Sequence, residues 1–152
     1  MEELGGDLED ALQELRDLAH GIYPPLLADK GLPDALTAAA RRASIPTKVR
    51  TDGVRRYPPE MEAAVYFCCL EALQNAGKHA GEPATAVVRL WEEEGGLLFE
   101  VSDDGAGFDT RRTGTSAGFT NMNDRVGAIG GSLRIESAPG RGTKVSGVVP
   151  LP

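Results

Sequence analysis

PEMEAAVYFCCLEALQNAGKH, residues 59–79, decides how the rest of the chain is read. It holds no glycine before Gly77, and a helix of ~20 residues spans about 30 Å, the width of a small domain. At about 100° per residue, Val65, Cys69, Ala72 and Ala76 fall on one side, while Glu71, Asn75 and Lys78 fall together on the other. The spacing predicts one long helix from Pro59 to His79, with one face building a core and the other presenting polar chemistry.

Upstream, Leu8, Leu12, Leu15 and Leu18 recur at three- and four-residue steps, the stripe of an amphipathic helix over Leu8–His20. Tyr23-Pro24-Pro25 predicts an extended connection, because each proline fixes its own torsion and disfavours helix in the residue before it. A further helix is expected from Pro33 to Ala43 and a short strand from Thr47 to Thr51. Downstream, Thr85–Trp91 and Leu97–Ser102 alternate around a Glu-Glu-Glu-Gly-Gly turn, a hairpin signal. Asp103–Gly118 is a glycine-bearing loop too long for a simple connection. A helix over Phe119–Ile129 is stopped by Gly130-Gly131, and Ser132–Ser137 with Thr143–Val149 forms a second hairpin.

The 152 residues, 41% of them hydrophobic, suit one domain with a real core. A formal net charge of -7 and scattered arginine doublets argue against a nucleic-acid partner. Cys68 and Cys69 are adjacent, a poor arrangement for a structural disulfide, and no Cys/His set has zinc spacing. A reducing, cytoplasmic setting fits best. No apolar run approaches the ~18 residues of a membrane span, so no direct membrane contact is expected.

Three segments carry chemistry. Glu71, Asn75, Lys78 and His79 share or border one helical face, offering the carboxylate, amide, ammonium and imidazole that a magnesium–triphosphate site uses; an exposed polar face is the plainer alternative. Asp103-Asp104-Gly105-Ala106-Gly107-Phe108 ends a strand and opens a loop. A carboxylate there can accept from a purine amine while glycines admit the ring, or the segment is a turn. Gly114-Thr115-Ser116-Ala117-Gly118 opens a helix whose free N–H groups favour phosphate oxygens.

In that order, and with Gly140-Arg141-Gly142-Thr143 opening the last strand, these segments resemble the N, G1, G2 and G3 boxes of the GHKL ATPases. More closely, the chain is similar to the catalytic domains of bacterial two-component sensor histidine kinases of the NarX, DesK and DevS type. Leu15-Arg16-Asp17-Leu18, Ile22-Tyr23-Pro24-Pro25-Leu26-Leu27, Glu71-Ala72-Leu73-Gln74-Asn75, Lys78-His79-Ala80 and Gly118-Phe119-Thr120-Asn121-Met122 carry that likeness. It implies an α+β fold: a two-layer α/β sandwich with a mixed, mostly antiparallel sheet and helices on one face. It implies ATP and Mg2+ as ligands. Asn75 offers its amide oxygen to the magnesium, and Glu71 orients a metal-bound water or assists proton movement. Lys78 and His79 lie beside the phosphates. Asp103 holds the adenine amine, with Thr143 in support, and Gly105, Gly107, Gly114 and Gly118 let a lid over about 104–118 close on the nucleotide.

The same resemblance divides the chain into the end of a dimerisation or linker helix, 1–21, and a catalytic ATP-binding domain, 22–152. The partners implied are a dimerisation domain bearing the phosphoacceptor histidine, absent from this chain, and a downstream response regulator. Neither His20, just before the prolines, nor His79 fits the acceptor's setting. Ser116 stands where the G2 box usually has its first glycine. An anti-sigma-factor-like protein-serine kinase and a degenerate nucleotide-binding module are the alternatives. Cys69, Met61 and Met122 are expected in the core, Trp91 at a strand end, and Arg125 either near the phosphates or on the surface.

Overall fold

The computed structural model describes residues 24–79, 84–107 and 117–152. The expected Leu8–His20 helix, His20, Gly114 and Ser116 lie outside these residues. Helix α1 (Pro25–Lys30) corrects the expected extended connection. Pro24 is extended, at φ -64 and ψ 129, but Pro25 occupies the first helical position, where a missing N–H costs nothing. Gly31, at φ 90, ends α1 and opens α2 (Leu32–Arg42). The sharp reversal needs glycine twice over: a Cβ at Gly31 would also sit 2.7 Å from Arg56 Cδ.

Strands β1 (Thr47–Asp52), β2 (Ala86–Glu93), β3 (Gly96–Asp103), β4 (Ser132–Ser137) and β5 (Thr143–Pro150) form one sheet in the order β1-β2-β3-β5-β4. The β1–β2 pair is parallel, joined across helix α3 (Pro59–His79); the other three pairs are antiparallel. This is the mixed, mostly antiparallel α+β sandwich expected. Alternation directs Ala86, Val88, Leu90, Leu97, Phe99, Val101, Val145 and Val149 into the core. Gly147 faces Phe99 in the register, and a Cβ there would sit 2.3 Å from Phe99 Cζ, so the ring occupies the missing side chain's place.

The expected one-sided burial of α3 holds only for its later turns. Met61, Glu62 and the run from Ala64 to Leu70 are buried, because α3 lies under the sheet with α2 on one flank and helix α4 (Ala117–Gly127) on the other. Met61 and Met122 are buried, and Cys69 is inaccessible, as expected from the sequence. Glu62 is 2% exposed, a burial that its sequence setting does not suggest. Its carboxylate takes Arg56 Nε at 3.0 Å and Nη2 at 3.1 Å, and the Tyr57 N–H at 3.2 Å. The same guanidinium donates to the carbonyls of Leu27, Ala28 and Asp29, so one side chain ties the end of α1 to the start of α3.

Candidate functional site

The sheet register lines up five residues at one end: Thr47, Ala86, Asp103, Thr143 and Ser137. Asp103 and Thr143 are direct cross-strand partners and share the helix-facing side with buried Val101 and Val145, two residues away along each strand. Three other elements reach this end. Gly77, near the end of α3, abuts Ser44 just ahead of Thr47, since a Cβ there would meet Ser44 Oγ at 2.2 Å. The last turns of α3, with Asn75, Lys78 and His79, therefore stand at the same sheet end as Asp103.

Helix α4 also reaches it. Arg125 stacks over the Phe67 ring at 4.5 Å and the Cys68 thiol points to the Met122 carbonyl at 3.7 Å, so α4 runs antiparallel to α3. That directs its N-terminus, which includes Gly118 and carries no acidic side chain in its first turn, toward the Glu71–Asn75 turns. Arg125 is thus a partly exposed helix residue whose guanidinium is engaged on α3. Burial pushes the Cys68 thiol up to about 12, Arg125 opposing the rise and Glu71 adding to it.

The two adjacent aspartates have different work. Asp104 accepts the Thr85 N–H at 2.7 Å and the Thr85 hydroxyl at 3.1 Å, and these bonds hold its carboxyl below the usual range. Asp103 accepts only the Gly105 N–H, at 2.9 Å on Oδ1, among the described residues, which leaves Oδ2 open. Gly105 therefore serves by its N–H as much as by its small size.

The turn between β4 and β5 is locked to this loop. The Gly140 N–H donates to the Ala106 carbonyl at 2.6 Å. A Cβ at Gly107 would lie 2.2 Å from the Ala138 carbonyl oxygen, and one at Gly142 would lie 2.1 Å from that of Asp103. Both glycines have positive φ, 67 and 71. Gly107 thus serves a backbone contact with the turn, a task that its place in the loop does not announce. Gly142 is expected from the sequence only as part of the Gly140–Thr143 segment, and Ser137 not at all; Ser137 Oγ lies 2.9 Å from both the Gly142 carbonyl oxygen and Thr143 Oγ1.

Glu71 and Asn75 are half-buried, one turn apart on α3. Among the described residues no three His, Cys, Asp or Glu side chains cluster as a metal site. A magnesium ion here fits only if phosphate oxygens and water supply most of its ligands, with Asn75 as a protein oxygen. An open cleft of about 550 Å³ lies elsewhere, on the outer sheet face beside Arg50, Arg89 and Trp91, and none of its lining residues belongs to the expected set. Trp91 lies within β2 under the Arg89 guanidinium, 5.0 Å away, so it does not cap the strand. Among the described residues no helix is long and apolar enough to cross a membrane.

The family described as histidine kinase-, DNA gyrase B- and HSP90-like ATPase matches residues 61–152. The sensor histidine kinase MctS of Rhizobium johnstonii is 36% identical over 94% of this chain and 32% of its own length. The oxygen sensor histidine kinase NreB of Staphylococcus carnosus is 31% identical over 96% of this chain and 44% of its own. The chain thus spans less than half the length of either relative. Among solved structures, the blue-light activated histidine kinase of Erythrobacter litoralis is 28% identical, with a TM-score of 0.65 over 95% of this chain and 47% of that one.

Proposed function

Because this chain belongs to the histidine kinase-, DNA gyrase B- and HSP90-like ATPase family, and its relatives are sensor histidine kinases, we propose that it is the Mg-ATP-binding catalytic domain of such a kinase. The observation that carries the reading is the meeting of Asp103 and Thr143, the last turns of α3 and the N-terminus of α4 at one end of the sheet. Asp103 accepts from the adenine amine through its open oxygen, with Thr143 beside it. Guanine, which offers a carbonyl there, is disfavoured. Lys78, His79 and the α4 N-terminus around Gly118 receive the phosphates, with Gly114 in the covering loop.

Bound magnesium supplies charge neutralisation at the phosphate oxygens, and Asn75 helps hold it. Glu71, one turn earlier, orients a water or assists proton movement at the attacking group. The γ-phosphoryl passes to a histidine nitrogen on a dimerisation domain, then to a response regulator, in a cytoplasmic setting. Residues 22–152 form the catalytic unit and 1–21 the end of the linking helix. Catalysis in such a site is mostly positioning and charge stabilisation. The relatives' names give no support to the protein-serine kinase or degenerate-module alternatives.

The test mixes the chain with a separately made dimerisation segment of a related kinase and radiolabelled Mg-ATP. Acid-labile phosphate on that segment is expected, lost with Asn75→Ala and lowered at least ~tenfold with Glu71→Gln. Nucleotide binding without transfer to any acceptor histidine, or label on His20 or His79 of the chain itself, contradicts the reading.

A further inference from the structure

We propose that Ser137 is a positioning residue for purine selection: it fixes the direction of the Thr143 hydroxyl proton and thereby makes Thr143 an acceptor toward the base. The inference rests on the reading of Asp103 and Thr143 as the adenine end of the site. Its basis is a count of protons. Ser137 Oγ lies 2.9 Å from the Gly142 carbonyl oxygen and 2.9 Å from Thr143 Oγ1. A carbonyl can only accept and a hydroxyl carries one proton, so the Ser137 proton goes to Gly142. The Ser137–Thr143 contact must then use the proton of Thr143.

What remains on Thr143 Oγ1 is lone pairs. Ser137, Thr143 and Asp103 are successive partners in one register row, and a carboxylate such as that of Asp103 is also acceptor-only. The sheet end therefore meets a base with oxygens that all want protons. With one N–H of a 6-amino purine on Asp103, Thr143 takes the other; a 6-oxo purine sets a carbonyl oxygen against both, its one N–H at that edge lying an atom away on the adjacent ring nitrogen. The Gly142 carbonyl cannot swing away to release Ser137, because Gly142 is buried, sits at φ +71 and is packed on the Asp103 backbone. Without the Ser137 hydroxyl, Thr143 is free to turn its proton into the site and donate to a 6-oxo group.

The experiment titrates the chain with Mg-ATP and Mg-ITP, which differ at the purine 6-position and its adjacent ring nitrogen. Ser137→Ala is expected to lower the ATP-over-ITP affinity ratio about three- to tenfold, the scale of one hydrogen bond, and Ser137→Thr to restore it. In a Thr143→Val background, Ser137→Ala is expected to leave the ratio unchanged. Equal weakening toward both nucleotides in Ser137→Ala, or an unchanged ratio, makes Ser137 merely structural and overturns the proposal. Should Ser137→Ala fail to fold, Thr143→Val alone reads the same acceptor, and a full ATP preference there overturns it. A wild-type chain that binds ATP and ITP equally overturns the adenine reading and this proposal together; a wild-type preference that survives the substitutions overturns this proposal alone.

Discussion

Arg56 grips both carboxylate oxygens of Glu62 while its remaining donors reach the last carbonyls of α1. Glu62 is buried and Arg56 half-exposed, so the two substitutions differ in kind. Arg56→Leu leaves a buried carboxylate without its cation, for which ~3–5 kcal/mol is typical in a fully buried pair and about 2–3 kcal/mol is expected here. The melting temperature should fall by roughly 4–12 °C. Glu62→Gln, which removes the charge and keeps an acceptor, is expected to cost less; equal melting temperatures for both variants would contradict the pair's role.

Two glycines of nearly equal φ separate conformational strain from steric contact. At Gly53, φ +68, an added Cβ would meet none of the described residues within 4 Å, while at Gly142, φ +71, it would meet the Asp103 carbonyl oxygen at 2.1 Å. Gly53→Ala should cost only about 1 kcal/mol of backbone strain. Gly142→Ala adds a backbone clash that must displace Asp103, so it is expected to cost at least ~2 kcal/mol more and to weaken nucleotide binding. Urea denaturation of both variants, with ATP titration, checks the ordering.

Acid sensitivity follows from Glu92 and Asp104. Arg55 holds Glu92 in a two-pronged pair at 3.0 Å, and Tyr57 donates its hydroxyl to the same carboxylate. These bonds depress Glu92 below 4.5, and Thr85 depresses Asp104 below 3.8. Groups with depressed folded values add stability above their unfolded values and lose it as pH falls through the folded ones. The denaturation midpoint should therefore decline as pH falls below about 4.5. Glu92→Gln and Asp104→Asn should each flatten that limb, and an unchanged pH slope in both variants would refute the assignment.

Both cysteines should be silent toward thiol reagents. Burial raises the Cys68 thiol to about 12 and the Cys69 thiol well above its usual value, and neither is accessible. Incubation with a maleimide at about pH 8, near the ordinary thiol range, is expected to label neither residue in the folded chain and both in denaturant. Rapid labelling under native conditions would show that α3 and α4 are not packed as described.

Much of the fold is legible in the sequence because local periodicity and punctuation agree with it. Helix α3 begins and ends at Pro59 and His79 as expected, and each expected strand lies within two residues of its observed bounds. Helix α1 is hidden because Pro24-Pro25 reads as extended chain, although the second proline starts a helix. The burial of the middle turns of α3 on all sides is signalled by Tyr66-Phe67-Cys68-Cys69-Leu70, an unbroken apolar run that a single stripe cannot account for. Glu62 reads as a solvated first-turn acid; its burial depends on α1, which the proline pair conceals.

At the site, Asp103 is visible as a carboxylate at a strand end. The tasks of Gly142 and Ser137 are not, since each depends on backbones distant in sequence coming together. The division of labour between Asp103 and Asp104 likewise rests on Thr85, one strand away.

The most direct test of the central claim is a calorimetric titration of the chain and its Asp103→Asn variant with Mg-ATP and Mg-GTP. The account predicts that the wild-type chain binds ATP at least ~tenfold more tightly than GTP, and that Asp103→Asn weakens ATP binding about ten- to a hundredfold, the scale of a charged hydrogen bond. Equal affinity for the two nucleotides, or ATP binding indifferent to Asp103→Asn, would contradict it.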